Sequence, residues 1–157
     1  MHVADLVEDA LRITASSLER HKIQIARDFD PRTPEVEVDR HKVLQILVNV
    51  LQNAQQACDE SGRADKRIVI GIGPVDGNVR IAVADNGVGI APENLECVFR
   101  HGFTTRRHGH GFGLHNAALT AKEMGGGLRV ESAGVGQGAK FTLELPQERT
   151  TSGPAPE

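Results

Sequence analysis

Residues 42–59 read KVLQILVNVLQNAQQACD, sixteen uncharged residues between Lys42 and Asp59, six of them Asn or Gln. Val43, Leu44, Leu47, Val50, Leu51 and Ala54 recur at the spacing of one helix face. Gln45, Asn49, Asn53 and Gln56 recur on another. Asn is a poorer helix former than Lys or Glu, so a face that only meets water has little use for it. Asn49 and Asn53 stand one turn apart and project the same way. Two readings of the amide stripe remain open at this point: a helix with an unusual wet side, or one wall of a binding site.

Working outward, Asp39 is placed to N-cap this helix, and Ser61-Gly62 ends it. Upstream, Val3–Leu18 reads as an amphipathic helix with Val3, Leu6, Val7, Ala10, Leu11, Thr14 and Leu18 along one stripe. Lys22–Phe29 reads as a half-buried strand through Ile23 and Ile25. Asp30-Pro31 and Thr33-Pro34 break the chain, and Val36 and Val38 suggest a short strand. Downstream, Arg67–Gly73 and Val79–Ala84 form a hairpin through residues 74–78, and the second strand runs into Asp85-Asn86-Gly87-Val88-Gly89-Ile90. Pro92–Val98 is a short helix. Phe99–His110 lacks periodicity and reads as a mobile loop. Gly111–Met124 is helical and stops at Gly125-Gly126-Gly127. Leu128–Ser132 and Lys140–Leu145 are strands joined through Gly134, Gly136 and Gly138. Hairpins point to an antiparallel or mixed sheet, and three helices suffice to cover one face of it. The expected class is therefore α+β: a two-layer sandwich with a mixed, mostly antiparallel sheet.

The chain has 157 residues, 39% of them hydrophobic, with five Phe and no Trp or Tyr, so the core must be Ile, Val, Leu and Ala. That length fits one domain, expected at 1–146, with 147–157 (QERTTSGPAPE) as a disordered tail. A net charge of −3 argues against nucleic acid as a partner. Cys58 and Cys97 match no metal-ligand spacing and are too few for a disulfide framework, which points to a reducing, cytoplasmic setting. No signal peptide or membrane span is expected, and no direct membrane contact.

Three glycine clusters stand out: Gly87 and Gly89; Gly109, Gly111 and Gly113; and Gly134, Gly136 and Gly138. The third reads as a hairpin turn with close backbone packing. The second opens a helix, where unencumbered N–H groups suit an anion such as a phosphate chain. Neither GxxxxGK[ST] nor GxGxxG is present, so the common phosphate loop and the dinucleotide fingerprint are excluded.

These features in this order resemble the catalytic ATP-binding domain of bacterial sensor histidine kinases, a Bergerat-type fold shared with type II topoisomerase, mismatch-repair and chaperone ATPases. Asn49-Val-Leu-Gln-Asn53-Ala54 resembles the N-box. Asp85-Asn-Gly-Val-Gly89-Ile90 resembles the first glycine box. Phe99-Arg-His-Gly-Phe103-Thr104-Thr105-Arg106 resembles the F-box. Gly109-His110-Gly111-Phe112-Gly113-Leu114 and Gly136-Gln-Gly138-Ala139-Lys-Phe141 resemble the second and third glycine boxes. The wording FTTR and GHGFGLH is most similar to the nitrogen-regulator and PAS-linked branch.

The resemblance implies roles. Asp85 would accept a hydrogen bond from the adenine amine; its alternative is a turn-forming Asx residue. Gly87 and Gly89 would admit close approach of backbone and base beside Ile90. Asn53 would give an amide oxygen to Mg²⁺, and Asn49 would reach phosphate or a Mg²⁺-bound water. Arg106 would neutralise the γ-phosphate from a lid also containing Phe103, Thr104 and Thr105, with Arg107 a solvated charge. Gly109, Gly111 and Gly113 would hinge the lid and present N–H groups, flanked by His110, Phe112 and Leu114. Phe99 and Phe103 would anchor the lid. Gln56 stands where many relatives have a phosphate-binding Lys, and Ala139 where a Thr is common beside the adenine.

In the related ATPases a Glu one turn before the Mg²⁺-binding Asn activates water; here that position is Asn49, which cannot take a proton. Transfer to an outside nucleophile is therefore favoured over hydrolysis. The seven histidines are His2, His21, His41, His101, His108, His110 and His115, and none is followed by the Glu or Asp typical of a phosphoacceptor. The acceptor would lie on a separate dimerisation domain, with a response-regulator receiver further downstream, and the isolated domain is expected to be monomeric. An ATP-gated dimerisation ATPase, an anti-sigma-type protein kinase and a nucleotide-binding switch are the alternatives.

Overall fold

The computed structural model describes residues 1–95, 97–98 and 113–147. Its elements are α1 (Val3–Arg20), β1 (Gln24–Phe29), α2 (Arg40–Ser61), β2 (Arg67–Val75), β3 (Asn78–Asp85), α3 (Pro92–Leu95), α4 (Gly113–Glu123), β4 (Gly127–Glu131) and β5 (Ala139–Pro146). Helix α2 has the ends its sequence requires. Asp39 is extended and its carboxylate accepts from Lys42 N at 3.3 Å, while Gly62 takes the left-handed conformation with φ 72°. Between them α2 buries Val43, Leu44, Ile46, Leu47, Val50, Leu51, Ala54, Ala57 and Cys58. Helix α1 buries the whole expected stripe, Thr14 included, because its hydroxyl donates back to Ala10 O at 3.0 Å.

The sheet order is β1-β2-β3-β5-β4. β1 and β2 run parallel, from Gln24 opposite Arg67 to Phe29 opposite Ile72, and the other neighbours are antiparallel. A parallel pair needs a crossover, and α2 lies within it. The mixed, mostly antiparallel sheet agrees with the expectation. Ile68, Ile70 and Ile72, then Val79, Ile81 and Val83, then Phe141, Leu143 and Leu145 join α1, α2 and α4 in one core. Asp85 continues the phase of Val79, Ile81 and Val83, so its carboxylate arises on the core-facing side at the end of β3.

Some boundaries differ from the sequence reading. The β2–β3 hairpin closes over two residues, Asp76 (φ 43°) and Gly77 (φ 82°), rather than over residues 74–78. Pro74 sits inside β2 because β1 ends opposite Ile72, where no neighbour needs the missing N–H. Val36 and Val38 form no strand. Val36 is buried and donates its N–H to Met1 O at 2.9 Å, a single bond rather than a ladder. α3 stops at Leu95. At the far end of α2, Asp59 accepts from Lys66 Nζ at 3.1 Å and meets His21 Nδ1 at 2.7 Å, tying the helix to β2 and to the end of α1.

Candidate functional site

The amide stripe of α2 forms one wall. Asn49 and Asn53 are half-buried, while Gln45 and Gln56 are exposed. Asn49, Asn53 and Ala57 follow one another at four-residue steps along that side. At the first, Asn49 Nδ2 donates to Gly113 O at 3.4 Å, at the start of α4. At the last, Val88 N donates to Ala57 O at 3.1 Å. A Cβ on Gly87 would lie 2.4 Å from the Ala57 carbonyl carbon, so only glycine fits there. Residues of the first and second glycine clusters thus meet the helix on either side of Asn53.

Asp85 is 8% exposed, and its Oδ1 accepts from Gly87 N at 2.8 Å. This is the Asx turn given as the alternative role, and it fixes the carboxylate at the end of β3. Asn86 has a scaffolding role: its Oδ1 accepts from Arg67 N at 2.9 Å, and its Nδ2 donates to Asp65 O at 2.8 Å. Behind it, the Cys58 thiol points to Asn86 Oδ1 at 3.7 Å and Arg67 O at 3.9 Å. Burial, then the Asp85 charge, push the Cys58 thiol above its ordinary range. Ala139 pairs across the ladder with Asp85, so this carboxylate has a methyl group for its β5 neighbour.

The third glycine cluster packs on the first, as its reading as a close-packed turn implied. Gly89 has φ 75°, and a Cβ there would fall 2.1 Å from Gly134 O. Gly138 has φ 73°, and a Cβ there would fall 2.2 Å from Asp85 O. Gly136 N donates to Val88 O at 2.6 Å. Glycine at 87, 89 and 138 is therefore demanded by protein backbone, whatever else approaches. Sequence reasoning missed Ser132, whose hydroxyl accepts from Ile90 N at 3.0 Å and donates to Gly138 O at 2.6 Å. A serine closing a strand carries no periodic signal; only its position beside the glycine loop marks it.

Ile90 and Leu114 are half-buried against the core. Phe103, Thr104, Thr105, Arg106, Gly109, His110, Gly111 and Phe112 lie outside the described residues, as do Phe99 and Arg107. Among the described residues no group of three His, Cys, Asp or Glu side chains could hold a metal. A hard cation at Asn53 fits this donor set only with phosphate and water oxygens completing its shell.

Residues 38–149 match the family model for histidine kinase-, DNA gyrase B- and HSP90-like ATPases. The chain is 32% identical over 149 residues to the sensor histidine kinase ZraS of Escherichia coli O157:H7, covering 95% of this chain and 31% of that protein. It thus spans under a third of that relative's length. Among solved structures it is similar to the catalytic domain of histidine kinase ThkA, with a TM-score of 0.80, 25% identity and 94% of each chain covered. It is similar also to full-length ShkA in complex with AMPPNP, with a TM-score of 0.78 and 27% identity over 93% of this chain and 30% of that one.

Proposed function

The chain belongs to the histidine kinase-, DNA gyrase B- and HSP90-like ATPase family of nucleotide-binding domains, and on that premise we propose that it binds ATP with Mg²⁺ for phosphoryl transfer to a histidine on another domain. The observation that carries this reading is the meeting of Gly87 and Gly113 with α2 on either side of the half-buried Asn53. That juxtaposition sets a buried carboxylate at one end of an amide-lined wall and a helix start at the other.

In this reading Asp85 accepts a hydrogen bond from the adenine amine, and guanine's keto edge offers it no donor there. Asn53 holds Mg²⁺ through its amide oxygen, and Asn49 turns its own oxygen toward phosphate or a bound water. The ion supplies charge neutralisation on the phosphates. The start of α4 at Gly113 offers main-chain N–H groups and the positive end of the helix to the same anion. Arg106 completes the charge balance.

Asn49 also supports transfer over hydrolysis. Its Nδ2 is committed to the Gly113 carbonyl, and an amide accepts no proton, so α2 carries no general base between Lys42 and Asp59. The acceptor histidine brings its own nucleophilic nitrogen. We assign 1–146 to the catalytic domain and 147–157 to a tail, and place the domain in the cytoplasm. No described helix is long and apolar enough to cross a membrane.

Titrating the chain with ATP and GTP, with and without Mg²⁺, tests the reading. ATP binds far more tightly than GTP, and Asn53→Ala weakens ATP binding about tenfold in Mg²⁺ while matching the parent in EDTA. With labelled ATP the chain alone stays unlabelled, and a separately supplied dimerisation and phosphoacceptor domain takes up label on histidine. Equal affinity for GTP, or phosphohistidine on the chain itself, overturns it.

A further inference from the structure

Ser132 directly follows β4, and its hydroxyl is used to capacity. A hydroxyl has one proton to give and two lone pairs to fill. Ser132 Oγ gives its proton to Gly138 O at 2.6 Å, with Gly134 O a longer alternative at 3.3 Å. It accepts from Ile90 N at 3.0 Å and from Gly134 N at 3.2 Å. One oxygen atom thus closes the β4–β5 loop on itself and fastens it to the chain that leaves Asp85.

The two loops meet backbone to backbone, through Gly89 against Gly134 and Gly138 against Asp85. Close contact between glycines excludes side chains but gives little direction. Direction comes from the two bonds that cross the seam, Gly136 N to Val88 O at 2.6 Å and Ile90 N to Ser132 Oγ. On its other side the same turn is held by Val88 N on Ala57 O. The Asp85–Ile90 turn is therefore clamped between α2 and the β4–β5 loop, with Ser132 at the end of the clamp.

We infer that Ser132 is a positioning residue for base selection: by holding Ile90 and Gly138 it sets where the Asp85 carboxylate stands, and so how well ATP is told from GTP. The inference rests on the nucleotide reading of the site. The partners of the Ser132 hydroxyl named above are all main chain. Ser132→Ala leaves two N–H groups and a carbonyl seeking new partners, whereas Ser132→Thr keeps the hydroxyl.

The test uses the full chain and two readouts. Amide exchange in the nucleotide-free protein reports the hydroxyl's own bonds: Ser132→Ala speeds exchange at Ile90 at least tenfold, and Ser132→Thr does not. Calorimetric titration reports selection. Ser132→Ala raises the Kd for ATP about tenfold, leaves the weak GTP affinity within about twofold of the parent, and so compresses the ratio, and Ser132→Thr restores it. A loss of stability alone would leave that ratio where it was. If the parent selects ATP and Ser132→Ala keeps the same ratio, or if Ile90 exchange is unchanged, the inference is overturned and the nucleotide reading stands. If the parent binds neither nucleotide, both fall.

Discussion

The two ends of the α2 wall are built in opposite ways. At the Ala57 end, the Asp85–Ile90 turn is gripped from both sides by main chain, at distances that admit no side chain on Gly87, Gly89 or Gly138. At the Asn49 end, among the described residues, α4 begins one long side-chain hydrogen bond away from α2, and a Cβ on Gly113 would make an ordinary 3.6 Å contact. In the proposed reading the first end, fixed by main-chain contacts, would take the base. The second end would meet the phosphates. Rigid backbone suits selection of a base, and a helix start presenting main-chain N–H groups suits a chain of phosphates.

That contrast can be broken most directly by adding a methyl group at each end. Gly138→Ala forces a left-handed backbone and a 2.2 Å clash with Asp85 O, and should cost about 3 kcal/mol or more of unfolding free energy in urea titrations. Gly113→Ala should be neutral or stabilising by up to about 1 kcal/mol, since alanine is the better helix former. Comparable losses at both positions would erase the distinction.

Next in size is Asp85→Asn. The amide oxygen can still accept from Gly87 N, so the turn and the melting temperature should hold. The carboxylate's preference for the adenine amine is lost, and ATP affinity should fall about 100-fold, or roughly 2.7 kcal/mol by calorimetry. At the other end, Asn49→Asp removes the donor that reaches Gly113 O and sets an acceptor against an acceptor. It should cost about 1 kcal/mol of stability.

The smallest effect is one of pH. The Cys58 thiol is pushed up by burial and by Asp85, so the neutral form is favoured in the folded protein. As pH rises through the ordinary thiol range, the unfolded chain ionises first. Stability is therefore fully present below that range and declines above it. Urea midpoints measured between pH 7 and about pH 10 should fall, and Cys58→Ala should flatten the slope.

Much of this was legible in the chain. The amide stripe, the Asp39 and Gly62 ends of α2 and the in-phase Asp85 follow from periodicity and capping, both local properties. What was not legible is what depends on one segment meeting another. The resemblance implies that Gly87 and Gly89 admit close approach of backbone and base; that an added Cβ at either would also meet the backbone of Ala57 or Gly134 shows only in the folded chain. Asn86, within the first glycine box, also braces Asp65 and Arg67, a role only the folded chain shows. Ser132 had no pattern to announce it. The short strand expected at Val36 and Val38 failed for a related reason: apolar alternation needs a neighbouring strand to pair with, and none of the described strands pairs with that segment.

The Asp76-Gly77 turn is at the opposite end of β3 from Asp85, about 25 Å away along an extended strand. Both turn residues are exposed, and the ladder on either side is complete up to Val75 and Asn78. This is a natural port for engineering. A dye, an epitope or a whole reporter domain spliced between Asp76 and Gly77 would ride on the sheet at the far end of β3 from Asp85 and would report on the molecule from there.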